Sequence, residues 1–332
     1  MNIRDIAARC GVSVATVSRV LNESPRVSPQ TRQKVLRVLE EEHFIPNAFA
    51  RGLGFNSMRM VGILCRDVAN PFYGLAVSLL ERNLRSNGFD TLLCCSGREL
   101  EDKKKCLALL LQKKVDAVIL VGTAFREEKE NQHIVEAALQ VPIFLINAEI
   151  DIPGVYCVLC DEKQAMRDSV QTIAAAGHRD ILYLHDMASW SWTGVQKLAG
   201  YRQGLADCGL TENEALIQLV PLDIESARAK VESLLKDGVA FTGIIASEDL
   251  LAVGALKALI QRKRETPIIG FNNSLIATCT IPSLTSVDNM LSLLCPQAVE
   301  LLIRVLNGDK VPTKTTVPAT LVERDTFRQH TA

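Results

Sequence analysis

Nine short apolar runs alternate with longer helical segments between residues 60 and 273. Runs of this kind are typical of parallel strands buried on both faces, and the segments between them then form helices that cover the sheet. The pattern therefore predicts an α/β fold with parallel sheets. The runs are MVGILC, DTLLCC, AVILVG, PIFLIN, VYCVL, DILYLH, LIQLVP, GIIASE and PIIGFN.

Nine strands are many for one sheet, and the polar stretch NAEIDIPG at 147–154 divides the runs into four and five. This division predicts two similar α/β lobes. A cleft between such lobes is a natural place for a ligand, because the carboxyl ends of parallel strands open into it.

The first forty residues have the pattern of three short helices. Gly11 ends the first helix, Ser13 is a suitable N-cap for the second, and Ser28 with Pro29 begins the third. Their apolar residues are expected to close a miniature core; these residues are Ile3, Ile6, Ala7, Cys10, Val17, Val20, Leu21, Val35, Leu36 and Leu39.

The spacing of Ala7, Gly11 and Val17 matches a helix-turn-helix, although a generic small helical domain would show it too. Charge favours the first alternative. Residues 1–39 carry seven Lys and Arg against two Asp and Glu, whereas the whole chain has a net charge of −1. Only this segment has the electrostatics to attract phosphate groups.

The segment IRDIAARCGVSVATVSRVLNESPRVSPQTRQKVLRVLEEEHFIPNAFARGL resembles the headpiece of the LacI/GalR repressor family over its whole length. The resemblance implies a recognition helix from Val14 to Asn22 that enters the major groove and turns Val14, Ala15 and Arg19 to the base edges. Arg19 can donate two hydrogen bonds to a guanine, whereas Val14 and Ala15 offer apolar contact to a thymine methyl.

Short polar side chains near the helix starts are suited to phosphate oxygens, which fix register without reading sequence. For Ser13 and Ser28, helix capping is the favoured alternative. The candidates are Ser13, Thr16, Ser18, Asn22, Ser28 and Thr31.

Residues 46–58 are expected to form a hinge that orders on DNA, because a short segment containing glycines makes a poor isolated helix. The resemblance implies that Asn47, Ala50, Arg51 and Leu53 belong to a hinge helix that wedges a leucine into the minor groove. A passive tether is the alternative.

The rest of the chain resembles the periplasmic-binding-protein-like core of the same family, through stretches such as KLAGY at 197–201 and GFNN at 270–273. The predicted organisation is a headpiece at 1–45, the hinge at 46–58 and a core at 59–332. Within the core, one lobe takes about 59–157 and 289–319, and the other about 158–288 and 320–332.

Most candidate effector contacts follow the predicted strands, whose carboxyl ends face the cleft. Trp190, Trp192 and Thr193 lie in the loop before the KLAGY helix, where aromatic rings can stack on a sugar or a base, and the resemblance adds Lys197. Each candidate has a purely structural alternative. Asp249 is also interpreted as a helix cap, and Tyr73 or Trp190 as a side chain that closes the surface of a lobe. The candidates are Arg66, Asp67, Asn70, Phe72, Tyr73, Asn147, Trp190, Trp192, Thr193, Lys197, Asp249 and Asn272. Sugar-responsive relatives usually carry arginine in place of Lys197 and aspartate in place of Asn272, so a sugar is not the automatic choice of effector.

No catalytic, cofactor or metal site is expected. Cys157 and Cys160 are separated by an odd spacing on a strand and so point to opposite faces, and the five histidines lack metal-ligand spacing. The ten cysteines are interpreted as reduced core residues. The charge runs at 102–105 and 127–130 are interpreted as solvated helix faces.

These observations and the resemblance predict a homodimeric transcription regulator, with a repressor favoured over an activator, that binds a near-palindromic operator under the control of a small-molecule effector. Alternatives are a solute-binding receptor and an α/β enzyme with an accessory DNA-binding module. No apolar run reaches the roughly 18 to 20 residues that span a bilayer, and no signal peptide is recognised, so a cytoplasmic protein without a membrane partner is expected.

Overall fold

The computed structural model describes residues 3–21, 24–42, 57–122, 125–127, 130–186 and 191–328. Several candidate site residues lie outside these ranges, namely Asn22, Asn47, Ala50, Arg51, Leu53 and Trp190.

Three helices form the N-terminal unit: α1 (Ile3–Cys10), α2 (Val14–Leu21) and α3 (Pro29–Glu41). Their shared core has the composition expected from the sequence, with one correction. Leu36 is 49% exposed, because α3 turns the neighbouring Val35 and Leu39 inward instead. The buried residues are Ile6, Ala7, Cys10, Val17, Val20, Val35 and Leu39.

Gly11 makes the sharp turn between α1 and α2. Its φ of 59° lies in the left-handed region, where glycine avoids the cost that a Cβ imposes. The Gly11 and Val12 N–H groups donate to the carbonyls of Ala8 (3.1 Å) and Ala7 (3.0 Å). These two bonds satisfy carbonyls that the end of α1 would otherwise leave open.

The described core contains two six-stranded sheets, in the orders β11-β5-β4-β3-β1-β2 and β12-β10-β9-β8-β6-β7. Every pairing is parallel except that of β10 with β12. All nine predicted runs are strands, β1 to β9. The bounds are β1 (Met60–Cys65), β2 (Asp90–Cys95), β3 (Ala117–Val121), β4 (Ile143–Ile146), β5 (Val155–Cys160), β6 (Ile181–Asp186), β7 (Ile217–Val220), β8 (Gly243–Ala246), β9 (Ile268–Phe271), β10 (Thr285–Asp288), β11 (Lys314–Val317) and β12 (Thr320–Val322).

Helices cover both faces of each sheet. Apolar residues of α4 and α12 pack on one face of the first sheet, and those of α5 and α6 on the other. The second sheet lies between α9 with α10 and α7 with α8. The bounds are α4 (Pro71–Ser86), α5 (Leu100–Gln112), α6 (Gln132–Ala138), α7 (Glu162–Ala175), α8 (Trp192–Asp207), α9 (Ile224–Lys236), α10 (Asp249–Gln261), α11 (Leu275–Cys279) and α12 (Leu291–Leu306).

The expected division between the lobes at 147–154 is wrong. Strand β5 pairs in parallel with β4, from Ile143 beside Val155 to Ile146 beside Val158. The polar stretch is therefore a connection within the first sheet, and the chain leaves that sheet only after Cys160. A boundary between 157 and 158 would cut through β5.

The prediction that the cysteines are core residues holds for five of them and is wrong for the others. All ten are free thiols; Cys95 and Cys279 are exposed, and Cys94, Cys106 and Cys208 are half-buried. Cys94 and Cys95 lie on β2, which is an edge strand and is only partly covered. No helix within the described ranges is both long and apolar enough to cross a membrane.

Candidate nucleic-acid interface and ligand cavity

Helix α2 has one buried face and one exposed face. Val17 and Val20 lie in the core of the headpiece, whereas Val14 is 41% exposed and Ala15 and Arg19 are also exposed. Within the described residues, the Arg19 guanidinium has no hydrogen-bonding or ionic partner. This face therefore offers one apolar patch and one free cationic fork to an external surface.

The two serines before α2 and α3 act as helix caps. The Oγ of Ser13 accepts a hydrogen bond from the Thr16 N–H at 3.1 Å, and the Oγ of Ser28 accepts one from the Thr31 N–H at 3.3 Å. Each serine hydroxyl also lies 2.9 Å from the hydroxyl of the threonine it caps. Both serines therefore act as helix caps, as the alternative interpretation proposed. Ser18, another candidate for phosphate contact, is half-buried.

A cavity of about 460 Å³ lies between the two sheets. Its walls come from segments that follow the carboxyl ends of strands in both sheets, as expected for parallel α/β lobes. The lining residues are Arg66, Asn70, Phe72, Tyr73, Arg98, Glu99, Leu100, Lys103, Gly122, Arg126, Glu127, Asn147, Glu162, His185, Asp186, Ser191, Thr193, Gly194, Lys197, Leu222, Ser247, Glu248 and Asn272.

Eight of the candidate effector contacts line this cavity: Arg66, Asn70, Phe72, Tyr73, Asn147, Thr193, Lys197 and Asn272. Three described candidates do not. Asp67 accepts a hydrogen bond from the Ala69 N–H in a turn, and Trp192 packs against an apolar cluster of the first sheet. Asp249 is buried and is fully engaged within the second lobe.

The Asp249 carboxylate is bound by two serines. One oxygen accepts hydrogen bonds from the N–H and the hydroxyl of Ser274, both at 2.7 Å, and the other accepts from the Ser286 hydroxyl at 2.6 Å. Asp249 therefore ties α10 to the start of α11 and to β10. The structure places this residue in a bridging role, distinct from the capping of its own helix.

Lys197 is the central buried cation of the cavity. Its Nζ donates to the Ser247 carbonyl at 2.9 Å and lies 3.7 Å from Glu162 Oε1 and 3.9 Å from Glu248 Oε1. Burial disfavours the charged ammonium, yet the carboxylates of Glu162, Glu248 and Asp186 outweigh burial and raise the pKa of Lys197. Lys197 therefore stays charged at neutral pH.

Glu248 is an acidic group whose pKa is shifted by this enclosure. Burial raises the pKa of Glu248 to about 8, against the opposing attraction of Lys197. Asn272 donates to one Glu248 oxygen and accepts from the Asn289 amide at 2.9 Å. Asn272 thus holds a carboxyl group that is largely protonated at neutral pH.

Asn147 plays a similar part on the other side of the cavity. Its amide nitrogen donates to Glu162 Oε1 at 2.8 Å, and its oxygen accepts from the Cys160 N–H at 3.3 Å. Both asparagines have a positive φ, 59° for Asn147 and 97° for Asn272, directly after a strand. One Asn–Glu pair, Asn272 with Glu248, thus lies within the second lobe, and the other joins Asn147 of the first lobe to Glu162 of α7.

The sequence interpretation missed most charged lining residues. They range from the last residue of a strand, Asp186 on β6, to eight residues beyond a strand end, Lys103 after β2. Loops and charge runs at these positions show no local pattern that distinguishes a lining residue from a solvated one. Lys103 is the clearest correction. It belongs to the run at 102–105 expected to be a solvated face, yet it is 5% exposed and pairs with Glu127 at 2.6 Å.

Two family descriptions match the chain. "Bacterial regulatory proteins, lacI family" matches residues 2–47, and "Periplasmic binding proteins and sugar binding domain of LacI family" matches residues 58–318. The chain belongs to the LacI family of transcriptional regulators. This LacI-family protein is therefore a DNA-binding regulator, and the match does not favour a solute receptor without a DNA-binding function.

Curated relatives match along nearly their full length. An HTH-type transcriptional regulator of Lachnoclostridium phytofermentans is 47% identical, over 98% of this chain and 99% of its own. The regulator AscG of Escherichia coli is 33% identical, over 97% of both chains. Catabolite control protein A of Priestia megaterium is 30% identical, over 100% of this chain and 99% of its own.

Solved structures share the fold. The complex of the transcriptional regulator CelR with cellobiose has a TM-score of 0.72 at 26% identity, over 98% of this chain and 100% of that one. The lac repressor dimer bound to operator and the anti-inducer ONPF has a TM-score of 0.87 at 23% identity, over 98% of both chains.

Proposed function

We propose that this LacI-family regulator represses transcription as a homodimer that binds a near-palindromic operator, with its affinity set by a small molecule in the interlobe cavity. The observation that carries the proposal is the pairing, in one chain, of an exposed α2 face with an enclosed polar cavity. The lac repressor, a structural neighbour, is a dimer in its complex with operator.

In this proposal each headpiece reads one half-site. Arg19 recognises a guanine, while Val14 and Ala15 contact a thymine methyl. Phosphate contacts come from Thr16, Ser18, Asn22 and Thr31, with the N-termini capped by Ser13 and Ser28 adding oriented N–H groups.

The hinge at 46–58 is proposed to enter the minor groove through Asn47, Ala50, Arg51 and Leu53. The eight candidate contacts that line the cavity are proposed to bind the effector. Binding energy that differs between open and closed lobes then shifts operator affinity, and operator DNA shifts effector affinity by the same factor. A regulator that works on chromosomal DNA acts in the cytoplasm.

The test begins with selection of bound duplexes from a random library, followed by gel shifts on the selected sequence. The full chain and a chain lacking residues 1–57 are compared. We expect specific retardation by the full chain alone. Equal, negligible binding by both chains would overturn the regulator proposal.

A further inference from the structure

Three arginines with unpaired guanidinium groups line the cavity on the side of the first sheet. Arg66, Arg98 and Arg126 follow β1, β2 and β3, which are adjacent parallel strands. Among the residues that the structure describes, none of the three guanidinium groups forms a salt bridge or a hydrogen bond. The Cζ atom of Arg66 lies 5.7 Å from the centroid of the Tyr73 ring. This contact with the ring face uses none of the N–H donors of the guanidinium group.

Charge is distributed unevenly around this cavity. The side of the first sheet presents four cations and two carboxylates, and one of those cations, Lys103, is already paired with Glu127. The side formed by α7 and the second sheet presents Lys197 with Glu162, Asp186 and Glu248. One end of the cavity therefore attracts an anion, and the other favours hydrogen-bond donors.

Buried polar atoms at the second end have no partner within the described chain. They are the Ser247 Oγ, Glu162 Oε2 and His185 Nδ1, in side chains that line the cavity and are 2% to 7% exposed as residues. A buried polar group left without a partner destabilises the folded protein. The side chains that carry these atoms line the cavity, so this end offers hydrogen-bonding groups suited to ligand hydroxyls.

The start of α5 adds to the first end. Its N-cap residue Glu99 makes no side-chain capping bond, and Leu100 lines the cavity. Open N–H groups at a helix start favour an anion. The first turn also carries the acidic residues Glu101 and Asp102, so the main attraction for an anion comes from the guanidinium groups that line the same cavity, whose planar forks match the two-oxygen edge of a phosphate or a carboxylate.

We infer that the effector is a polyhydroxylated metabolite with one anionic group, held so that the anion meets Arg66, Arg98 and Arg126. Its hydroxyl groups meet Glu162, Ser247 and His185 at the other end. This inference rests on the proposed function only in taking the cavity as the effector site. Phosphate and carboxylate share the required chemistry.

The test measures binding to the full-length protein without DNA, by calorimetry. Glucose, galactose and mannose are each compared as the neutral sugar, the 6-phosphate and the uronate. We expect at least one anionic form to bind about tenfold more tightly than its neutral parent, the gain of one charge-assisted contact. The two anionic arms separate a phosphate from a carboxylate.

The variant Arg98→Gln/Arg126→Gln is expected to lose this preference. The matched control is Arg179→Gln/Arg262→Gln, which removes two exposed arginines outside the cavity and should keep it. Tighter binding of neutral sugars, or an anionic preference that survives in the cavity variant, would overturn the inference.

Inorganic phosphate provides a probe that does not depend on sugar stereochemistry. Phosphate should raise the unfolding temperature of the wild type and the control variant more than that of the cavity variant, relative to chloride at equal ionic strength. Equal stabilisation of all three proteins would also overturn the inference. Because DNA is absent from these measurements, their outcome is separate from that of the operator experiment.

Discussion

Lys197 shows how a single residue organises the ligand cavity. Its ammonium contacts the Ser247 carbonyl, lies near two carboxylates and stands 4.0 Å from the centroid of the Phe271 ring. A buried cation needs such compensation, because removal from water costs several kcal/mol. A lysine provides a point charge here, where the fork of an arginine would need partners in one plane.

Stability is predicted to fall as pH rises from about 5 to 8, through Glu248. Its pKa is about 8 in the folded protein and near 4.5 otherwise, so the folded form binds more protons across this window. The neighbouring charged groups are Lys197, Asp186, Glu162 and Asp249. Glu248→Gln removes this titration. The unfolding temperature of the variant minus that of the wild type should therefore increase as the pH rises from 5 to 8.

Thermal unfolding of both proteins without ligand, at four pH values, checks this prediction. Lys197 has a raised pKa and contributes a change only above about pH 10, so it does not interfere. A difference between the two proteins that is constant with pH would show that Glu248 titrates normally.

Arg19→Ala is predicted to relax selectivity at one guanine in each half-site, at a cost of about 1–3 kcal/mol per site. Arg19→Lys is the control, because it keeps the charge and loses the two-donor fork. Arg19→Lys should lose selectivity at the same guanine but should lose less total operator affinity than Arg19→Ala. Competition gel shifts against operators changed at single positions measure both, and unchanged base preference would restrict Arg19 to phosphate contact.

At the scale of elements, glycines set how closely the helices of the second lobe approach. A Cβ on Gly204 of α8 would lie 2.7 Å from the Val170 Cβ on α7. On α10, a Cβ on Gly254 would meet the Ile224 carbonyl oxygen and lie 2.6 Å from the Ala227 Cβ on α9. Backbone atoms cannot yield as a flexible side chain can, so these helix pairs depend on glycine.

Gly254→Ala is accordingly predicted to incur an overpacking cost of about 2–3 kcal/mol, the upper part of the usual range, because the Cβ meets both a backbone oxygen and another Cβ. After subtraction of the roughly 1 kcal/mol that alanine gains in helix propensity, the net loss of stability is about 1–2 kcal/mol. Gln261→Ala, at the exposed end of the same helix, should change stability by less than about 0.5 kcal/mol. Denaturant unfolding measures both, and equal stability of the two variants would show that α9 and α10 move apart freely.

Some strands were recognisable from the sequence pattern and others were not. The nine apolar strands were recognisable because each is a run of hydrophobic residues between turns. Strand β10 was not, although Thr285 and Ser286 are fully buried in it. Its hydroxyl groups are satisfied by distant partners, such as the Phe327 carbonyl at 2.7 Å and the Asp249 carboxylate at 2.6 Å. A local pattern contains no information about such partners.

For the whole molecule, the main electrostatic feature is the separation of charge between a basic headpiece and a core with excess acid. Residues 1–39 carry five more basic than acidic side chains, in a chain whose net charge is −1. Attraction to phosphate groups is therefore confined to one end of each subunit. The acidic remainder limits non-specific association of the core with DNA.

Operator affinity is predicted to depend steeply on salt. If the two headpieces of a dimer make six to ten phosphate contacts, affinity falls by roughly 10³ to 10⁵ between 50 and 200 mM salt. Anisotropy titrations with a labelled operator over that range measure the slope. A slope near zero would contradict a phosphate-based headpiece interface.

The local features of this protein follow from the amino-acid sequence alone: the turn at Gly11, the caps at Ser13 and Ser28, and the nine apolar strands. Each depends on residues within about ten positions of one another, so a local pattern is sufficient. The sequence also identified the family through contiguous headpiece residues. The rule that strand ends face the cleft found six of the lining residues, and the loop before α8 and the family resemblance added Thr193 and Lys197.

The sheet that receives β5, the set of buried charges and the candidates that reach the cavity depend on how the chain packs in three dimensions. Lys103 and Lys105 stand in one charge run, yet only Lys103 is buried. Asp249 and Glu248 are adjacent, yet only Glu248 lines the cavity. Burial and pairing depend on contacts between residues tens to hundreds of positions apart, and such contacts exist only once the sheets and helices have packed.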